Sequence, residues 1–408
     1  MIPKNEVLSI APERGLRPDV VEKDYVLGWL LMGIAEHPLL SNWVFKGGTC
    51  LKKCFFETYR FSEDLDFTVP EGMAYEEEAY RTALLECTEK VAEETGIYFP
   101  QEEIDVKESF NKVGQKTFLG KISYRGPLMP QTRDLPRIKI DLTQHELIAE
   151  NPEKRSIRHF YTDAPQSPVS VLCYSVNEIL TEKTRALYER QGRVRDLYDV
   201  VNIVRNYGEQ IELQKARETL RKKFEFKSLP APSVESILET VDFDTLRANW
   251  GDQLGHQLPV LPPAESYFEE LRTKALRWII AAPTVERLPS IPLKAGEETI
   301  QRVSFPQLQQ AELSRRAPRR LTSAFGKLDL IRYGARNRLC VEISYHGVVR
   351  LTEPYSLRMP RTGNLLLYVF EHIKAGVPTQ TTKAYKVEEI QEVRVTEKAF
   401  RPRYPVEL

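Results

Sequence analysis

The 408-residue sequence has no run of about 18 or more uncharged apolar residues, so no segment is expected to cross a bilayer as a helix. The apolar stretch at 26–34 is short. It lacks the basic flank and small-residue cleavage site of a secretory leader, which points to a cytoplasmic protein. Cysteine is sparse: the five residues Cys50, Cys54, Cys87, Cys173 and Cys340 are odd in number and scattered. That pattern excludes paired zinc-ligand spacing, and a disulfide framework is implausible in so large a chain. Cys50 and Cys54 lie four apart beside Leu51 and Phe55, and read as the apolar face of a helix rather than as redox or metal chemistry. There is no internal repeat and no low-complexity tract. Net charge is also missing, with 58 Lys+Arg balancing 58 Asp+Glu.

The zero conceals an asymmetry. Residues 291–408 hold 20 Lys+Arg against 12 Asp+Glu, a balance of +8, which leaves −8 on residues 1–290. An acidic front and a basic tail suggest different partners for each, unless Arg319, Arg320, Arg336 and their neighbours form only a solvated face. At 41% hydrophobic and 28% charged residues the composition is that of a folded globular chain, long enough for two or three domains.

Periodicity divides it. Residues 1–40 read as helical, with Val21, Tyr25, Trp29 and Met32 at helical spacing. A Lys-Gly-Gly-Thr turn, a short helix at 49–58 and a strand at 64–69 follow, then an amphipathic helix at 75–96. Alternating segments at 117–125 and 137–143 read as strands, so this part is α/β or α+β with a mixed sheet. From 175 to 280 the pattern is helical. The proline-bearing stretch 282–300 marks a boundary. Beyond it, five short strands are expected at 339–345, 348–351, 364–370, 383–387 and 392–396. The expected domains are 1–215, a helical continuation at 216–285, and a small basic β domain at 295–408.

The sharpest chemical signal is Lys46-Gly47-Gly48-Thr49 followed, after a helix, by Arg60-Phe61-Ser62-Glu63-Asp64-Leu65-Asp66-Phe67. In a strand, residues i and i+2 point the same way, so Asp64 and Asp66 present two carboxylates on one face while Leu65 and Phe67 face the core. Two such charges side by side call for a cation, and hard oxygen ligands suit Mg²⁺. A Gly-Gly turn leading into a helix can offer backbone N–H groups to a phosphate. Val176, Ile179, Leu180 and Leu187 place Lys183 within an apolar helical stripe, from which its ammonium can reach a cleft and meet triphosphate rather than simply snorkel. Asp196 falls in the first turn of the next helix, whose buried face is Leu197, Val200, Val201 and Val204.

The order Gly-Gly, helix, Asp-x-Asp strand resembles the active-site layout of polymerase-β-like nucleotidyltransferases. That likeness implies a third carboxylate from a later strand, for which Asp141 at the end of 137–143 is the candidate. More specifically, Lys-Gly-Gly-Thr-x-Leu-x-Lys with Phe-Ser-x-Asp-x-Asp resembles the AbiEii/AbiGii-type nucleotidyltransferase toxins. Val21-Glu22-Lys23-Asp24-Tyr25 is similar to that family's leading helix. Glu182-Lys183 and Arg195-Asp196-Leu197-Tyr198-Asp199 are similar to its second active-site block. The likeness covers residues 15–210.

It implies an enzyme that moves an NMP from NTP to an acceptor hydroxyl, RNA and plausibly a tRNA 3′ end, as a toxin or phage-defence effector with a cognate antitoxin. Asp64, Asp66 and Asp141 would hold two Mg²⁺ ions, one activating the acceptor hydroxyl and one stabilising the leaving pyrophosphate. Lys46, Gly47, Gly48, Thr49 and Lys183 would hold the NTP, with Asp196 and Asp199 added to the catalytic set. The segment 341–357 and the closing Phe400-Arg401-Pro402-Arg403-Tyr404 resemble a WYL domain, a small regulatory β module for nucleotide or nucleic-acid ligands. The alternative reading is a ligand- or nucleic-acid-binding regulator whose transferase site is vestigial.

Overall fold

Alternation of apolar and polar residues sets the central strands. The computed structural model describes residues 1–13, 16–56, 60–111, 114–129, 134–190, 193–280, 297–299, 326–360 and 364–408. In the strand β5 (Arg137–Thr143), Ile138, Ile140 and Leu142 are buried while Arg137, Lys139 and Asp141 take the other face. In β2 (Asp64–Thr68), Leu65 and Phe67 are buried while Asp64 and Asp66 are half-buried. These two strands run parallel and in register, and β2 pairs antiparallel with β1 (Val44–Lys46). They form the middle of a seven-stranded mixed sheet of order β3-β4-β5-β2-β1-β7-β6. The outer members are β3 (Ile104–Phe110), β4 (Lys116–Ser123), β6 (Glu153–Ser156) and β7 (Ser170–Cys173).

The chain divides into two compact units. The first comprises residues 1–200 and 208–259, and contains this sheet. Its helices include α1 (Lys4–Glu13), α2 (Pro18–Glu36), α3 (Gly47–Cys50) with a wider helical turn continuing it over Leu51–Phe55, α4 (Glu77–Thr95), α5 (Val176–Glu189), the start of α6 (Val194–Tyr207) and α7 (Leu213–Phe226). Ser175 caps α5 by accepting from the Glu178 N–H at 3.0 Å.

The second unit comprises residues 201–207 and 260–408. It holds an antiparallel sheet of order β12-β11-β10-β9-β13, with the short β8 (Glu297–Thr299) pairing with the end of β10. The five expected strands are present as β9 (Leu339–Tyr345), β10 (Val348–Pro360), β11 (Leu366–Lys374), β12 (Val377–Lys386) and β13 (Ile390–Ala399), most of them longer than alternation suggested. The helix Lys327–Asn337 contributes Ile331 to a core with Val341, Ile343, Leu357, Leu367 and Val369. Of the 282–300 boundary stretch only 297–299 lies within the described residues, and Arg319 and Arg320 lie outside them. Arg336 does not belong to a plain solvated face. It is half-buried, its Nε donates to the Leu408 carbonyl at 3.4 Å, and its guanidinium lies 5.6 Å from the Tyr207 ring centre. No helix of the described residues is long and apolar enough to cross a membrane.

Candidate active site

Strand register assembles the carboxylates. Asp66 lies directly across β2 and β5 from Asp141, and across β1 and β2 from Lys46. Asp64, two residues along, shares their face, so three carboxylates and one ammonium are gathered on the sheet's centre. Burial, then the neighbouring Asp141 and Asp64, push the Asp66 carboxyl up to about 6, against the pull of Lys46 and Lys183. Asp141 is raised as well, first by desolvation within its recess and then by Asp64 and Glu146, although its side chain remains open to solvent.

The Gly-Gly turn is shaped by this cluster. Gly47 adopts φ +81°, and a Cβ there would stand 2.2 Å from Asp66 Oδ2. At Gly48 a Cβ would meet Arg60 Nη2 at 2.5 Å and Ser62 Oγ at 3.1 Å. Both positions therefore need glycine because acidic and basic side chains lie against the backbone. The Thr49 hydroxyl is buried and donates to the Asp64 carbonyl at 2.6 Å, which ties the turn to β2. Its oxygen is thus engaged within the protein.

Behind the turn lies a connected set of ions. Lys183 Nζ is 2.7 Å from Asp196 Oδ1 and 3.1 Å from Asp199 Oδ2. Burial alone would lower its proton affinity, but Asp196 and Asp199 raise it, so the ammonium is retained. Asp199 is fully buried and receives Arg60 as a two-pronged partner, Nε to Oδ1 and Nη2 to Oδ2, both 2.7 Å. Arg60 Nη1 also donates to Gln257 Oε1 at 2.9 Å. Asp196 is buried, and its Oδ2 has no hydrogen-bond partner among the described residues. Lys46 Nζ is 3.5 Å from Glu182 Oε1, and Lys223 is 3.4 Å from the other oxygen of that carboxylate. Burial opposes the Lys46 charge, yet Glu182 and Glu146 outweigh it.

All ten residues singled out from sequence thus fall on one side of the first unit's sheet or on the helices α3, α5 and α6 beside it. Asp199 and Thr49 are placed with their polar atoms turned inward. Sequence reading quoted Arg60 and Glu182 only as members of the motifs, with no partner given to either, and it missed Gln257. A buried arginine must find a carboxylate, but nothing in the spacing says that its partner lies 139 residues away. The leading motif also has an internal use. Asp24 is buried 3.0 Å from Lys53 and 3.6 Å from Lys52, so it neutralises the lysines that end the Gly-Gly motif.

Comparison with known proteins adds the following. A family model described as nucleotidyl transferase AbiEii toxin, type IV TA system, matches residues 29–282. That span runs well past residue 210 and begins after the Val21–Tyr25 motif. Among solved structures the chain is similar to MenT4, a nucleotidyltransferase toxin from Mycobacterium tuberculosis H37Rv, at 18% identity and a TM-score of 0.45. The alignment covers 69% of this chain and 94% of that one. A search of curated proteins found no match.

Proposed function

The chain belongs to the AbiEii family of nucleotidyltransferase toxins of type IV toxin–antitoxin systems, and we propose that it transfers an NMP from NTP to an acceptor hydroxyl of RNA, with a tRNA 3′ end as the favoured acceptor. The observation that carries this reading is the register of Asp64, Asp66 and Asp141 on one face beside Lys46 and Lys183. A cluster whose Asp66 titrates near 6 is short of positive charge, its donors are hard oxygens, and Asp196 offers a further buried oxygen without a partner among the described residues. This donor set fits Mg²⁺.

Asp64, Asp66 and Asp141 would hold two Mg²⁺ ions, which supply charge neutralisation at the phosphates and acidify the acceptor hydroxyl. The backbone N–H groups of Gly47 and Gly48 would meet the substrate's phosphates, with the ammonium groups of Lys46 and Lys183 for the β- and γ-phosphates. Asp196 orients Lys183. Asp199, walled off by Arg60 and Lys183, acts as a positioning residue rather than touching substrate. A family antitoxin is the expected protein partner, and the basic WYL-like tail is assigned to binding an anionic ligand or the acceptor.

The test is to incubate the protein with total RNA, each α-labelled NTP and Mg²⁺, and to identify which species gains label. Label in an RNA band with one preferred NTP is expected. Label in protein alone would reject the RNA acceptor. No incorporation with any of the four nucleotides would favour the regulator with a vestigial site.

A further inference from the structure

The Gly-Gly turn opens a helical segment whose far end meets a thiol cluster. Cys50 ends α3, Cys54 lies in the wider turn Leu51–Phe55, and Cys173 closes β7. β7 runs parallel to β1, with Cys173 opposite Phe45, which brings it under the helical segment that β1 feeds. The three Sγ atoms all lie within 4.8 Å of one another, and all three residues are buried. Two cysteines four apart on a helix are common core packing. A third thiol from a strand more than a hundred residues away, converging on both, is a preformed trigonal donor set.

We propose that Cys50, Cys54 and Cys173 form a three-thiolate site for a soft d¹⁰ cation, with Cu(I) the best-fitting ion. Sulfurs about 2.3 Å from a central metal stand roughly 4 Å apart in a trigonal arrangement, so the trio closes on an ion with little movement. Soft thiolate ligands select Cu(I) and Zn²⁺ over hard cations, which keeps this site chemically distinct from the carboxylates that would take Mg²⁺. Among the described residues no histidine or carboxylate joins the trio, whereas Zn²⁺ in structural sites is almost always four-coordinate.

The surroundings prepare the charge. The neighbouring thiols of Cys50 and Cys54, then Arg155, lower the proton affinity of Cys173 against its burial. Burial raises Cys50 and Cys54, so loading an ion would release their two protons to solvent. Arg155 lies 4.8 Å from the Phe55 ring centre, and the Arg158 N–H donates to the Lys53 carbonyl at 2.8 Å. Arg155 favours the thiolate of Cys173 and Arg158 that of Cys54, while Glu153, 2.6 Å from Arg155, opposes the first. Ligation would tie the end of the helical segment to β7, and its other end is the turn against Asp66.

The experiment uses the full-length protein, reduced and handled without oxygen. Cu(I) is titrated in competition with a chromogenic Cu(I) chelator, Zn²⁺ is titrated in parallel, and Cd²⁺ serves as an ultraviolet probe of thiolate ligation. One Cu(I) per chain is expected, with a Cd²⁺ charge-transfer band of three-thiolate intensity and a raised thermal midpoint on loading. Cys173→Ser should weaken Cu(I) binding at least 100-fold, and Cys87→Ser, on α4, should leave it unchanged. Cys54→Ser repeats the arm if Cys173→Ser does not fold. The proposal is overturned if the folded wild-type protein takes up no Cu(I) against the chelator and shows no Cd²⁺ band. Equal uptake by a folded Cys173→Ser or Cys54→Ser variant would overturn it as well, and tighter binding of Zn²⁺ than Cu(I) would overturn the three-coordinate assignment. None of these readouts depends on transferase activity.

Discussion

At Asp66 burial, reinforced by the neighbouring carboxylates, sets a pH dependence. Its folded-state value of about 6 lies above the ordinary aspartate value of roughly 4. The folded chain therefore holds this proton more tightly than the unfolded chain. The stability it confers is complete below the lower value and is lost as pH rises through the higher one. In chelator, the thermal midpoint of the wild type relative to Asp66→Asn should fall between about pH 4 and 6 and then level off. Adding Mg²⁺ above pH 6 should raise the wild-type midpoint and leave the Asn variant little changed. A wild-type-minus-variant difference that stays flat across this window would remove the claim that burial and the neighbouring carboxylates raise Asp66.

The lysine behind the carboxylates makes a different prediction. Lys183→Ala removes an ammonium that Asp196 and Asp199 hold in place, so KM for NTP should rise as transfer slows. Asp196→Asn keeps the lysine and should lower kcat more than it raises KM. If Lys183 only snorkels, its Ala variant retains both constants. Asp64, Asp66 and Lys183 were readable from sequence because period-two and helical spacing fix which side chains share a face. Asp141 required the family likeness, since only the parallel register of β2 and β5 puts it opposite Asp66. Arg60 and Glu182 stood within the quoted motifs, but their ion pairs were illegible because the partners are set by packing between elements distant in sequence.

Among the elements, α6 is fastened to the chain leading into β2 through one buried pair. Arg60 and Asp199 are both at most 2% exposed, so removing Arg60 leaves the buried Asp199 with Lys183 as its remaining cation at 3.1 Å. Arg60→Ala should cost about 3–5 kcal/mol of stability by the usual measure of a broken buried ion pair. Arg60→Lys should restore little of it, because an ammonium cannot span both Asp199 oxygens and Gln257. Chemical denaturation of both variants measures this, and a loss below about 1 kcal/mol for Arg60→Ala would contradict the anchoring role. Gly48→Ala would press a methyl into the same guanidinium and is expected to weaken stability and transfer together.

β10 shows where element boundaries escape sequence. Alternation suggests an end near residue 351, yet the strand runs to Pro360. Glu353, Ser356 and Arg358 are polar but buried, with Glu353 accepting from His372 at 2.7 Å and from the Tyr355 hydroxyl. Ser356 accepts from Arg358 Nε at 3.1 Å within the same strand, and His372 comes from β11, so polar groups satisfy one another at buried positions that do not register as apolar. Pro354 is accommodated next to a shift in pairing register, where a missing N–H is tolerated.

For the whole molecule, the two units define what truncation does. Within the second unit, Tyr267 donates to Asn337 at 2.8 Å and Tyr333 to the Val260 carbonyl at 2.6 Å. A chain ending near residue 285 would keep Val260 and Tyr267 and lose both partners. It should unfold less cooperatively than the full chain, and a sharp, unshifted transition would refute this. Charge reversal at Arg336 or Arg338 should likewise report on stability, since Arg336 reaches the Leu408 carbonyl and Arg338 the Ala335 carbonyl. Acceptor binding through the +8 tail is better read from salt dependence in the intact protein, where affinity for RNA should fall steeply as salt rises.

The claim on which the rest depends is that the Asp64, Asp66 and Asp141 face transfers a nucleotide. Its most direct measurement compares α-labelled with γ-labelled NTP in a single-turnover reaction, using the wild type and a folded Asp64→Asn/Asp66→Asn variant. The account predicts that the acceptor gains α-label and no γ-label, that γ-label leaves as pyrophosphate, and that the variant is slower by at least about 100-fold. Acceptor carrying γ-label, or a folded double variant with wild-type turnover, would contradict it.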